Sequence, residues 1–82
     1  MAVYVDELRR IDGRLWCHMV ADTDAELTSM QLNIGLHSSW QHNDHFDLSP
    51  WKRDLAIANG AIPATIRYLV SVRRRKRKNA TI

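Results

Sequence analysis

A single cysteine, Cys17, is all that the chain contains. That excludes an internal disulfide and points to a reducing, cytoplasmic setting. Prolines number two and glycines three, so no stretch is a Pro/Gly-rich linker and each of these residues marks a boundary. No apolar run approaches the roughly 18 residues needed to span a bilayer. Asp6 and Glu7 break the basic-then-apolar order of a signal peptide. A chain of 82 residues is too short for a multidomain enzyme, a complete dinucleotide-binding fold or a repeat array. A domain of this size buries only about 60% of its unfolded surface, so a homodimer would reinforce its core.

What is present is charge, unevenly placed. The formal net charge is +3, but six of the twelve cations form one run, Arg73-Arg74-Arg75-Lys76-Arg77-Lys78. Residues 1–72 hold the other six cations and all nine acids, leaving a body of −3. The expectation is a compact α/β domain over residues 1–72 and a polybasic tail over 73–82, disordered because packed like charges repel.

Within the body, Ala2–Val5 reads as a short buried strand and Leu15–Val20 as a second, with Asp12-Gly13 as a turn between them. Thr23 and Glu26 form a capping box for a helix at about 24–34, closed by Gly35. Leu36–Asp44 reads as a loop and His45–Leu48 as a very short strand or extended connection. Ser49-Pro50 starts a second helix with Trp51, Leu55 and Ala58 as its apolar face, and Asn59-Gly60 ends it. Ile62–Val72, rich in β-branched residues, reads as the last strand, with Pro63 at its start. The fold class is α/β: a small single-layer sheet of three to four short strands covered by two helices.

Several stretches together resemble one family: Met1–Asp6, His18–Thr23 with Glu26-Leu27, Ile34–Leu36, Trp40, His45–Leu48, Lys52-Arg53 and Ala58–Ala61. They are similar to the short bacterial and phage family known as domain of unknown function 4031. The similarity spans residues 1–67, with the basic tail outside it. The resemblance implies a standalone α/β domain and carries over no activity. Val3-Tyr4-Val5 ending in Asp6 also resembles the opening of PIN- and NYN-type nucleases, where that Asp binds a divalent metal.

Polar residues gather where strands should end. Asp6, His18 and Asp22 are the candidate catalytic groups; Asp24, His45 and Asp47 lie beside neighbouring helix starts. Parallel strands would bring these groups together at one sheet edge, whereas a hairpin at Asp12-Gly13 would make them partly diverge. Ser49, Lys52 and Arg53 open the second helix, and cations beside free N–H groups suit a phosphate, with His45 and Asp47 adjoining. The competing reading has Asp47 and Asp54 neutralise them, or both side chains reach solvent. His42-x-x-His45-x-Asp47 offers imidazole and carboxylate ligands for zinc or manganese, against a structural role for His45. Strand alternation puts His18 on the face opposite Cys17, so Cys17 is a core residue rather than half of a catalytic pair. Trp16, Trp40 and Trp51 either stack bases or pack a core or dimer interface.

Three functional expectations follow. The first is a binding module for a phosphorylated ligand, nucleotide or nucleic acid at a strand-end pocket, with Arg73–Lys78 adding nucleic-acid affinity. The second is a metal-dependent phosphodiesterase or nuclease in which Asp6, Asp22, Asp47 and His45 hold Mg²⁺ or Mn²⁺ and His18 is the base. The third is a protein-interaction module, such as a phage protein directed at a host partner. No cofactor is certain from the sequence; a divalent metal is the one candidate.

Overall fold

The computed structural model describes residues 2–80. Strands are β1 (Val3–Val5), β2 (Arg9–Ile11), β3 (Arg14–Ala21), β4 (Gln41–His42), β5 (His45–Leu48) and β6 (Ile62–Pro63). Helices are α1 (Asp24–Asn33), α2 (Pro50–Ala58) and α3 (Ile66–Ala80), with one 3-10 turn at Ser38–Trp40. The sheet runs β4-β5-β3-β1-β6, and β2 extends β3 as a hairpin. All pairings are antiparallel except β1 with β6.

The two strands expected first are therefore antiparallel neighbours, Val3 facing Ala21 and Val5 facing Met19. Asp12-Gly13 does turn the chain, with φ of +51° and +79°, the left-handed pair that a two-residue hairpin requires. It joins β3 not to β1 but to the fully exposed β2. A second two-residue turn, Asn43-Asp44, converts the end of the expected loop into strand β4 and pairs His42 with His45.

Both faces of the sheet are covered. Val3, Val5, Cys17, Met19, Ala21, Phe46 and Leu48 pack against α1 and α2 through Leu27, Met30, Ile34 and Ala56. The opposite parity, Tyr4 and Val20, packs against Leu69 and Val72 of α3. The result is two helices, a sheet and a third helix in layers, with six strands rather than three or four.

The helix ends follow their sequence signals. Thr23 Oγ1 accepts the Glu26 N–H at 3.2 Å and donates to Glu26 Oε1 at 2.8 Å. Past α1, Leu36 N–H donates to Gln31 O and Gly35 N–H to Leu32 O, a Schellman closure around Gly35 at φ +71°. Ser49 accepts the Lys52 N–H at the start of α2. Trp51, expected on the buried face of α2, is instead 69% exposed. Ala58 of the expected face is exposed as well, whereas Leu55 packs against the core with Ala56 and Ile57; Lys52 and Arg53 are half-buried, and their head groups find carbonyl partners described below.

The largest correction lies after Pro63. Only Ile62–Pro63 is strand; residues 66–72 of the expected strand belong to α3, which continues through the basic run expected to be disordered. The missed signal is Thr65. Its hydroxyl accepts the Tyr68 N–H at 3.1 Å, and its carbonyl accepts the Leu69 N–H. Leu69 and Val72 then fall three apart on the buried side. Two of the cations are paired with acids of the body: Arg73 Nε donates to both oxygens of Asp44 at 3.0 Å, and Lys76 Nζ lies 2.6 Å from Asp24 Oδ1. Arg75 sits over the Tyr68 ring. One helix thus crosses the expected 72/73 division; residues 81 and 82 of the expected tail lie outside the described residues. Among the described residues, no helix is long and apolar enough to cross a membrane.

Candidate metal centre

The face of the sheet that carries Tyr4 and Val20 also carries His18, His45 and Asp47. The parity that buries Cys17, Met19, Phe46 and Leu48 sends these three the other way. β5 lies beside β3 with His18 and Asp47 as Cα partners. Antiparallel register on the other side of β3 sets Asp6, just past β1, across from His18, and its N–H donates to the His18 carbonyl.

Each histidine is held at one nitrogen. The fully buried Asp6 accepts the His18 backbone N–H on Oδ1 at 2.6 Å and holds the ring Nδ1 on Oδ2 at 2.8 Å. Arg53 Nε donates to the Asp6 carbonyl at 2.8 Å and fixes the end of β1. Asp44 takes the same part for His45, whose Nδ1 lies 3.4 Å from Oδ1. Burial pushes the Asp44 carboxyl up, but hydrogen bonds from Arg73 and His45 outweigh it and hold the group below the usual aspartate range.

An ionised carboxylate can only accept, so a ring that donates its Nδ1 proton to one of these carboxylates has, when neutral, its lone pair at Nε2. Both Nε2 atoms face one oxygen: Asp47 Oδ1 lies 4.0 Å from His18 Nε2 and 3.6 Å from His45 Nε2. These separations are too long for hydrogen bonds. Ligand atoms about 2.0–2.2 Å from a zinc-sized ion stand roughly 3–3.5 Å from one another. One potential ligand atom from each of the three residues lies within 4.8 Å of the others, a spacing that a small closing movement would bring to that of a metal's ligands. Two imidazoles and one carboxylate suit zinc, manganese or ferrous iron and leave further coordination positions open. Carboxylates behind metal-binding histidines fix the tautomer and raise ligand basicity.

The geometry rearranges the expected site. The convergent set is His18–His45–Asp47, not His42–His45–Asp47. His42 is more exposed, stacks on His45 and approaches the other oxygen of Asp47 at 3.6 Å. Asp6 bonds His18 rather than joining the three residues whose ligand atoms converge, and His18 is one of those three. Asp22 lies at the far end of β3, accepting the Ala2 N–H at 2.8 Å and the Tyr4 hydroxyl at 3.1 Å. Asp24 pairs with Lys76.

Lys52 and Arg53 are bound to backbone carbonyls: Lys52 Nζ donates to Ile34 O at 2.5 Å and Gly35 O at 3.3 Å, capping the negative end of α1. Their placement answers the question of why cations open α2 without invoking a phosphate. Cys17 is buried, and burial, with Asp6 nearby, pushes its thiol up to about 12, as suits a core residue. Asp44 escaped the sequence reading altogether; the signal available was the turn pair Asn43-Asp44 between two histidines.

A cavity of about 60 Å³ adjoins the histidines under α3, lined by His18, Val20, His45, Leu69, Val70 and Arg73 among others. It is large enough for water beside the ligand set. No curated protein matches the chain, and no solved structure does. A family match extends over residues 3–76, past the expected limit at 67 and into the basic run as far as Lys76. The chain belongs to the family described as Protein of unknown function (DUF4031).

Proposed function

We propose that this protein is a divalent-metal-dependent phosphodiesterase centred on His18, His45 and Asp47. The observation that carries the reading is the approach of two Nε2 atoms to one carboxylate oxygen, with each opposite ring nitrogen held by Asp6 or Asp44. A cation held by His18, His45 and Asp47 would lower the pKa of a bound water and neutralise charge on a phosphoryl oxygen. Hydrolysis would then add the water oxygen to phosphorus, break the bond to one ester oxygen and pass a proton to that leaving group. Arg73 lines the same cavity as the histidines, and although its Nε is committed to Asp44, its remaining guanidinium N–H groups would be the donors to an anionic substrate. Arg74 and Arg77, further along α3, are exposed and add attraction for a polyanion.

The test is hydrolysis of bis-p-nitrophenyl phosphate and of a labelled single-stranded oligonucleotide, with Mn²⁺, Zn²⁺ or Mg²⁺ supplied in turn. Turnover should vanish in EDTA and fall at least 100-fold in His45→Ala and Asp47→Asn, while Asp22→Asn retains it. Oligonucleotide affinity that persists in EDTA, with no turnover under any metal, would favour the simple binding module. The exposed cations of α3 are the observation behind that second reading.

A further inference from the structure

A groove next to the ligand set has no part in the chemistry above. It encloses about 350 Å³ and is walled by Trp16, Leu36, His37, Trp40, Asp47 and Lys52 among others. That volume falls in the range of small-ligand pockets, about 300–1,000 Å³. We infer that the groove is a nucleobase subsite, holding the ring of a nucleotide or single-stranded nucleic acid whose phosphate lies at the metal centre. The inference rests on the metal-centre reading for the place of the phosphate.

Three observations converge on a neutral, flat ring. Trp16 and Trp40 supply indoles to one hollow, and Trp40 is 53% exposed, so its surface is available to a ligand. Indole faces stack on any base, because every base has a π-face. The one lysine in the wall is already bound: Lys52 Nζ donates to the Ile34 and Gly35 carbonyls, so the groove lacks the cation a phosphate would need. At the rim, His37 Nδ1 accepts the Ser39 N–H at 3.1 Å, which leaves the ring proton on Nε2 as a donor for a base edge.

Asp47 ties the groove to the metal centre. The same side chain lines the groove and faces His18 and His45. A base in the groove and a phosphate at the metal can therefore belong to one nucleotide. The other ligand classes fit less well: an anion finds no spare cation there, and an aliphatic chain makes no use of two indoles or the His37 donor.

The experiment uses the full chain in a Trp51→Phe background, since Trp51 is exposed and is not among the groove residues. Indole fluorescence is titrated with adenosine and with AMP, each in EDTA and in Mn²⁺. Adenosine should quench saturably and equally in both conditions, and AMP should bind about tenfold more tightly when Mn²⁺ is present. Trp40→Ala should weaken adenosine binding at least fivefold while leaving Mn²⁺ affinity, measured by calorimetry, unchanged; Trp40→Phe should recover most of the loss. His45→Ala should erase the Mn²⁺ gain for AMP without touching adenosine. Absence of saturable quenching by adenosine, or affinity indifferent to Trp40→Ala and Trp16→Ala, overturns the subsite. Failure of wild-type protein to bind Mn²⁺ or Zn²⁺ overturns the metal reading and the phosphate's place, while the adenosine arm still decides the groove.

Discussion

Asp6 grips His18 at two points, accepting its backbone N–H at 2.6 Å and holding its ring Nδ1 at 2.8 Å. One carboxylate thereby fixes both the pairing of β1 with β3 and the direction of the imidazole. Stability and site geometry meet in a single buried group.

Asp6→Ala should therefore show two losses together. Leaving the buried His18 N–H without a partner costs about 1–3 kcal/mol, readable in urea unfolding. Metal affinity should fall about 10–100-fold in calorimetry, the usual effect of removing a carboxylate behind a metal-binding histidine. A variant that loses stability but binds metal as tightly as wild type would remove Asp6 from the site's machinery.

Metal should stabilise the fold by mass action. At a free concentration one hundred times Kd, a ligand that binds only the folded state adds about 2.7 kcal/mol. For a domain of this size each kcal/mol moves the melting midpoint by about 4–8 °C. Zn²⁺ or Mn²⁺ should thus raise Tm by at least 10 °C, reversibly in EDTA, and His18→Ala should abolish the rise. An unchanged Tm in wild type across all the metals tried would count directly against the centre.

Lys52 is predicted to act on stability alone. Replacing it with Met removes a cation from the C-terminal carbonyls of α1, a contact worth up to about 2 kcal/mol in partly buried geometry. Unfolding midpoints should fall, whereas inorganic phosphate should stabilise Lys52→Met and wild type to the same small extent. Phosphate protection specific to wild type would restore the lysine to a ligand site.

Cys17 gives the pH dependence. Its folded pKa, about 12, lies above the roughly 8.5 of a thiol in an unfolded chain. Below pH ~8.5 both states keep the proton and the contribution is fully present. Above it the unfolded chain releases a proton that the folded chain retains, so stability falls as pH rises toward 12. Cys17→Ala should flatten this alkaline limb in denaturant titrations, at some cost in packing. Iodoacetamide should label wild type only on the unfolding timescale; rapid labelling at pH 8 would contradict the burial.

Local signals carried the local structure. Thr23 with Glu26, Gly35, Ser49-Pro50 and the alternation around Cys17-His18-Met19 each specify a contact within a few residues, and each appears in the fold. Strand direction was not legible, since a turn at Asp12-Gly13 does not say which strand precedes it. Nor was α3: Ile66–Val72 satisfies a strand on composition, and the Thr65 cap marks a helix only together with burial of Leu69 and Val72 against Tyr4 and Val20. The candidate ligand set was half visible. His45 and Asp47 sit two apart on one strand, but His18 joins them across β3 and β5, a pairing that no spacing in the chain reveals.

The alternation along β3 and β5 has an evolutionary consequence. His18, His45 and Asp47 share one parity, and Cys17, Met19, Phe46 and Leu48 the other. Side chains on the chemical parity can be exchanged while the buried layer stays intact, so the protein can drift in what it handles without drifting in shape. Insertions have no such freedom. One extra residue inside β3 that passed into the pairing would turn His18 into the oily layer and Cys17 out of it. Length variation among relatives should accordingly collect at the Asp12-Gly13 and Asn43-Asp44 turns and spare β3 and β5, the strands that follow them.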